Sequence, residues 1–152
     1  MQVKKRDGTL EDLNIDKLHK VVQYACEDIS GVSASQVEIN SNIQFYDGIA
    51  SEDVQETLIK SAADLISEET PNYQYVAGRL INYHLRKQVY GTFTPPCLCD
   101  IIQDNIDKGF YDAEFTDLYT KEDINELNDY LNHERDEVLT YAAMEQFRGK
   151  YL

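Results

Sequence analysis

The sequence predicts a mainly α fold in which a short β-hairpin caps a small four-helix bundle and further helices come after it. Three observations point to it. Apolar residues recur at helical spacing in four successive segments between residues 15 and 90. Asp7-Gly8 lies between two short runs, Gln2 to Arg6 and Leu10 to Leu13, where a hairpin turn belongs. Glycine and proline punctuate the chain at Gly31, Gly48, Pro71, Gly91, Pro95-Pro96 and Gly109.

At the hairpin, Asp-Gly suits a type I′ turn, whose two central residues both need positive φ. Asn14 stands at the N-cap of the first helix, with Asp16 in the turn that favours acids. Ile15, Leu18, Val22, Ala25, Cys26 and Ile29 then form an apolar stripe. A second helix, capped by Ser33 or Ser35, carries Val37, Ile39, Ile43 and Tyr46 and ends at Asp47-Gly48. Ser51-Glu52-Asp53 opens a third, with Val54, Leu58, Ala62 and Leu65 on one face and Ile59 and Ile66 broadening it. Thr70-Pro71 closes it, and a fourth runs from about Asn72 to Tyr90 with Ala77, Leu80, Ile81, His84 and Leu85 inward.

Residues 91–96 break the pattern, since two prolines cannot continue a helix. The expected division is therefore a first domain over 1–91 and the start of a helical region over 92–152. Cys97 to Lys108 reads as a helix stopped by Gly109, and Phe110 to Tyr119 as irregular and aromatic. Thr120-Lys121-Glu122-Asp123 is close to a capping box and opens a helix with Ile124, Leu127 and Leu131. An apolar segment through Tyr141, Met144 and Phe147 comes next, and the sequence reads as cut at Lys150-Tyr151-Leu152.

Composition narrows the function. The net charge of −14 argues against a general binder of nucleic acids or anionic membranes. The cations concentrate early: residues 1–91 hold nine Lys/Arg against fourteen Asp/Glu, and residues 92–152 five against fourteen. Three cysteines and no apolar leader predict reduced thiols in a cytoplasmic protein. Cys26 reads as a core residue, and Cys97-Leu98-Cys99 lacks the second ligand pair a zinc site needs. No nucleotide-binding glycine loop or nucleophile elbow is present. His133-Glu134-Arg135-Asp136 reads as helix-end ion pairs rather than an acid/base set, His84 as a core histidine, and Arg86 and Lys87 as cations suited to a helix C-terminus. As an enzyme, this stretch does not convince.

Lys17 breaks a local rule, because the dipole of a helix disfavours a cation in its first turn by a few tenths of a kcal/mol. Lys4, Lys5 and Arg6 leave the hairpin nearby. One reading is a solvated basic strand with an incidental lysine. The other is a phosphate site, since outward N–H groups at a helix start together with cations suit an anion.

The motifs Val3-Lys4-Lys5-Arg6-Asp7-Gly8 and Asn14-Ile15-Asp16-Lys17 resemble the ATP-cone, a regulatory nucleotide-binding domain with a hairpin or three-stranded cap on four helices. Ile43-Gln44-Phe45-Tyr46-Asp47-Gly48-Ile49, Asn72 to Ala77 and Leu85 to Gly91 continue the match. Pro95-Pro96, Gly109 to Asp112, His133 to Asp136 and Gly149 to Leu152 are similar to the region after the cone in the large, catalytic subunit of class I ribonucleotide reductase. That resemblance implies an allosteric site reading ATP, which keeps the enzyme active, against dATP, which drives large and small subunits into an inhibited assembly. It implies phosphate contacts from Lys5 and Arg6, with Lys87 closing from the fourth helix and Lys17 near phosphate or sugar. Glu11 and Asn14 would read the adenine amino edge, within a turn that also includes Asp12, Leu13 and Asp16. Val3, Ile15 and Leu18 would pack on the base, and Ser51 and Gln55 would line the sugar and phosphate side.

Family members often carry Thr at the Ser51 position and His at the Gln55 position; Ser keeps the hydroxyl, but Gln cannot carry positive charge. The implied effector is ATP or dATP with Mg2+, and no redox cofactor belongs to this segment. The implied partners are adenine nucleotides, the rest of the large subunit and the small, radical-generating subunit, with no nucleic acid and no membrane. The resemblance implies that the radical cysteines, the redox-active pair, the barrel and the substrate-specificity site of that subunit lie in parts not present here. The alternative is a degenerate cone that has lost its nucleotide and serves as a helical docking surface.

Overall fold

The computed structural model describes residues 1–152. In chain order the elements are β1 (Gln2–Lys4), β2 (Leu10–Asp12), α1 (Ile15–Cys26), α2 (Ala34–Asn42), β3 (Ile49–Ala50), α3 (Ser51–Ala63), α4 (Tyr73–Tyr90), α5 (Leu98–Asp107), α6 (Phe115–Leu118), α7 (Lys121–Tyr130), a 3-10 helix (His133–Val138) and α8 (Tyr141–Lys150). The chain forms two compact units, residues 1–85 with 136–152, and residues 86–135. This cut differs from the expected 1–91 and 92–152, because the last seventeen residues pack with the first unit.

The first unit is a three-stranded sheet on a helical bundle, as the patterning predicts. Strand order is β2-β1-β3, with β1 antiparallel to β2 (Val3 opposite Glu11) and parallel to β3 (Val3 opposite Ile49). Asp47 ties the third strand in: its Oδ1 accepts from Gln2 N at 2.7 Å, and Gly48 N donates to Gln2 O at 2.9 Å. The hairpin turn is not type I′. Gly8 has φ +85°, but Asp7 stays at negative φ. Gly8 N donates to Lys5 O at 2.9 Å and Lys5 N to Thr9 O at 2.8 Å, a three-residue loop closed by a bulge at glycine. The cause is local: Asp7 Oδ1 accepts from both Thr9 N and Thr9 Oγ1, an Asx turn that fixes Asp7.

The core is built mainly by helices. Val22 and Ala25 of α1, Val37 of α2, Leu58 and Ala62 of α3, and Leu80 and Ile81 of α4 are all fully buried. Each Val, Leu or Ile so buried contributes about 1.5–3 kcal/mol. Two helix expectations need correction. Ile15 is 69 % exposed, off the α1 stripe. In α2 only Val37 of the expected apolar face is buried, while Ile39, Ile43 and Tyr46 lie in solvent. That helix stops at Asn42, where buried Ser41 turns its hydroxyl back onto Glu38 O at 2.9 Å and competes with the helical ladder.

Residues 136–152 dock on α4. Gly78 permits it, because a Cβ there would stand 2.1 Å from Leu139 O. Arg79 binds both sides of the seam, donating to Glu27 O at 2.6 Å past the end of α1 and to Glu137 O at 3.2 Å. Met144 of α8 enters the core, and Arg148 grips Glu56 of α3 with two hydrogen bonds of 2.6 and 3.1 Å.

In the second unit α5 packs against α7. The capping box is present: Thr120 Oγ1 accepts from Asp123 N, and Asp123 Oδ2 accepts from Thr120 N at 2.9 Å. The stretch expected to be irregular contains the single turn α6, where Phe115 packs between Tyr111 and Tyr119 at ring separations of 6.4 and 5.1 Å. No helix is long and apolar enough to cross a membrane.

Candidate functional site

The parallel pairing of β1 with β3 sets the geometry of the basic corner. β3 runs straight into α3, so the start of that helix lies beside the end of β1, with Lys4 opposite Ala50. Lys5 and Arg6 leave β1 at this end. The N-cap of α3 is Ala50, which has no side-chain oxygen and makes no cap bond. Its first N–H groups are therefore available to an anion.

Both cations of the hairpin are held by acids. Lys5 Nζ stands 2.6 Å from Glu11 Oε2 across the strand pair, and Arg6 Nε stands 2.8 Å from Glu52 Oε1 in the first turn of α3. The Glu11 carboxylate, by hydrogen bond and charge, raises the Lys5 ammonium above its ordinary pKa. All four side chains are about half exposed, so water screens both pairs and each holds only weakly. An arriving phosphate competes with them at low cost.

At the start of α1, Asn14 Oδ1 accepts from Lys17 N at 2.9 Å, the expected N-cap. This fixes the turn that bears Asp16 and Lys17, both exposed. It also commits the amide oxygen of Asn14 and leaves its amide N–H groups as donors. Asp12 lies opposite Gln2 in β2, and Leu13 is half-buried against the core. Val3 and Leu18 are core residues at 6 % and 7 % exposure, whereas Ile15, like Leu10 opposite Lys4, is exposed. Ser51 and Gln55, one turn apart on α3, are both half-buried.

Lys87 belongs to the second unit, where its ammonium donates to Gly91 O at 2.7 Å and lies 5.4 Å from the Phe93 ring centre. His84 is 4 % exposed, with Nε2 3.4 Å from Glu56 Oε1 and Nδ1 without a partner. Burial lowers its pKa, against the opposing pull of Glu56. Two acidic partners escaped the sequence reading. Glu52 is the mate of Arg6, and its position in the first turn of a helix already had a sufficient explanation in the dipole. Glu56 joins α3 to Arg148, ninety-two residues away, and no local signal announces such a pair.

The ATP cone domain family matches residues 1–88. The chain is 49% identical over 150 residues to ribonucleoside-diphosphate reductase 1 subunit alpha of Escherichia coli, covering 99% of this chain and 20% of that protein. Identity to the corresponding subunit alpha is 48% over 152 residues in Haemophilus influenzae, and 38% over 154 residues in Enterobacteria phage T4. Each of these two alignments covers 100% of this chain and 20% of the relative. The chain thus spans about a fifth of the length of the curated relatives it matches.

Proposed function

The chain belongs to the ATP cone domain family, and on that premise we propose that it is the overall-activity module of a ribonucleoside-diphosphate reductase large subunit, taking ATP or dATP with Mg2+ at the corner between β1, α1 and α3. The observation that carries the reading is two hairpin cations beside an uncapped helix start; the capped turn bearing Lys17 follows β2, the strand paired with β1 on its other side. Lys5 and Arg6 would leave Glu11 and Glu52 for the phosphates. Glu11, once released, would accept from the adenine amino group, while an Asn14 amide N–H donates to the adjacent ring nitrogen. Guanine, with a carbonyl and a ring N–H on that edge, would meet the wrong partners. Ile15 would cover one face of the base, with the edges of Val3 and Leu18 beneath, and Ser51 and Gln55 would border the sugar. Lys17 would approach phosphate or sugar.

ATP bound here would keep the reductase active, and dATP would favour an inhibited assembly of large and small subunits. The test is isothermal titration of the chain with dATP, then ATP, in magnesium buffer. Saturable binding that Lys5→Ala weakens ten- to a hundredfold is expected, since hydrogen bonds to charged groups are worth about 1.5–3 kcal/mol. Unchanged affinity in Lys5→Ala would overturn the assignment of the phosphate side.

A second reading has its own support. Lys5 and Arg6 are already neutralised, and α2 with its following turn exposes Ile43 at 79 % and Tyr46 at 60 %. A cone without nucleotide would use such a surface to dock another subunit. Absence of any thermal shift with millimolar ATP or dATP would favour it, because a bound effector at a hundredfold excess over Kd adds about 2.7 kcal/mol.

A further inference from the structure

The second unit holds two thiols that the nucleotide reading does not use. Cys97 occupies the N-cap position of α5, where an oxygen side chain usually caps the first N–H groups, yet it makes no such bond. Cys97 and Cys99 turn instead to Asn125 of α7, with Sγ to Oδ1 distances of 3.9 and 3.2 Å. Both thiols are thus aimed at one amide oxygen. Leu98 between them is held from outside, its N–H donating to Asn128 Oδ1 at 2.9 Å. Both are free thiols, and both are partly exposed.

We propose that Cys97 and Cys99 form a vicinal dithiol that closes reversibly to an intramolecular disulfide by exchange with a low-molecular-weight disulfide. The Cys97 thiolate attacks one sulfur of the oxidant, forming a mixed disulfide and releasing one thiolate. Cys99 then gives its proton to water, attacks the Cys97 sulfur and expels the second thiolate. The protein loses two protons and two electrons, and the oxidant becomes two thiols. The order is set by position. Cys97 stands first, at the N-cap position of α5. Burial and the neighbouring Cys97 push the Cys99 thiol up, so it stays protonated until the mixed disulfide is beside it. Closure removes both S–H donors from Asn125 and that of Cys99 from Lys121 O, and leaves the Leu98–Asn128 bond between the start of α5 and α7 in place. Cys26 does not compete, because burial raises its thiol to about 11. The inference is independent of the nucleotide site.

The test equilibrates the full chain in glutathione buffers from reducing to oxidising, then quenches, denatures, alkylates with N-ethylmaleimide and digests with trypsin. Both thiols fall in the peptide 88–108, and Cys26 lies in another. In oxidising buffer that peptide should be unlabelled and lighter by two hydrogens, returning to two labels after dithiothreitol. Cys97→Ser and Cys99→Ser should each carry one glutathione instead. A parent peptide that keeps both labels throughout, or that carries two glutathiones, overturns the proposal.

Discussion

Gly78→Ala tests whether residues 136–152 are an integral part of the first unit. The new Cβ would sit 2.1 Å from Leu139 O, 3.0 Å from Thr140 C and 3.1 Å from Leu139 C. Ordinary contact between carbon atoms is about 3.5–4.0 Å, so the oxygen is more than an ångström too close. All three obstacles are backbone, and the segment cannot slide away alone. Arg79 holds Glu137 O ahead of the clash, and Met144 and Arg148 anchor α8 behind it. Overpacking of this kind costs about 1–3 kcal/mol, with the upper end apt here. Alanine returns about 1 kcal/mol in helix propensity. The net expectation is a loss of about 2 kcal/mol, or a melting temperature lower by about 4–8 °C for a chain of this size. Hydrogen exchange should show the amides of α8 losing protection before those of α1. A Gly78→Ala variant that melts at or above the parent temperature would refute the close approach, since propensity alone predicts stabilisation.

His84 makes stability depend on pH. Its folded pKa lies below the ordinary 6.5, because burial disfavours the imidazolium. Its contribution is therefore full above pH 6.5 and lost as pH falls below it, where the unfolded chain takes up the proton more readily. Between pH 7.5 and 5.5, denaturant unfolding of His84→Asn should show a flatter stability profile than the parent; parallel profiles would exclude the histidine as a source of the slope. Gln55→His, which restores the side chain common in the family, should make nucleotide affinity rise as pH falls through about 6.5, measured by titration at pH 6 and 8. Identical affinities at the two pH values would remove Gln55 from the phosphate side. Thr120→Ala should cost about 1 kcal/mol by removing the hydroxyl that caps Asp123 N, while the bond from the backbone N–H of residue 120 to Asp123 stays, and Thr120→Ser should keep most of the lost stability. Equal melting of the second unit in the alanine and serine variants would show that the box adds nothing.

Local rules were enough for much of this molecule. Asn14 and Thr120 cap helices because each carries its oxygen one residue ahead of an apolar repeat, a signal contained within four residues. The inward face of α4 is likewise plain from spacing, and His84 falls on it as a core residue. What escaped was decided by competition or distance. Asp-Gly suggested a primed turn, but the Thr9 hydroxyl and amide captured Asp7 and changed the turn. Ile15 fits the apolar period of α1, yet one position earlier than the bundle can cover. The acidic partners of Lys5 and Arg6 were visible as residues but not as pairs, since register and the β3–α3 junction bring them together. Glu56 with Arg148, and Gly78 with Leu139, depend on a chain return that periodicity cannot express.

That return carries a consequence for how the first unit is made. Residues 1–85 emerge from the ribosome first, but Met144 and Arg148 reach them only after the fifty residues of the other unit have been synthesised. At a typical 5–20 residues per second this leaves several seconds in which the seam along α4 is uncovered. Closing the intervening loop costs a further entropy that grows only with the logarithm of its length, so the delay is kinetic rather than energetic. Gly78 and its neighbours are then a transient apolar edge on every nascent chain, and the interval before α8 arrives is when proteases and aggregation have access to it.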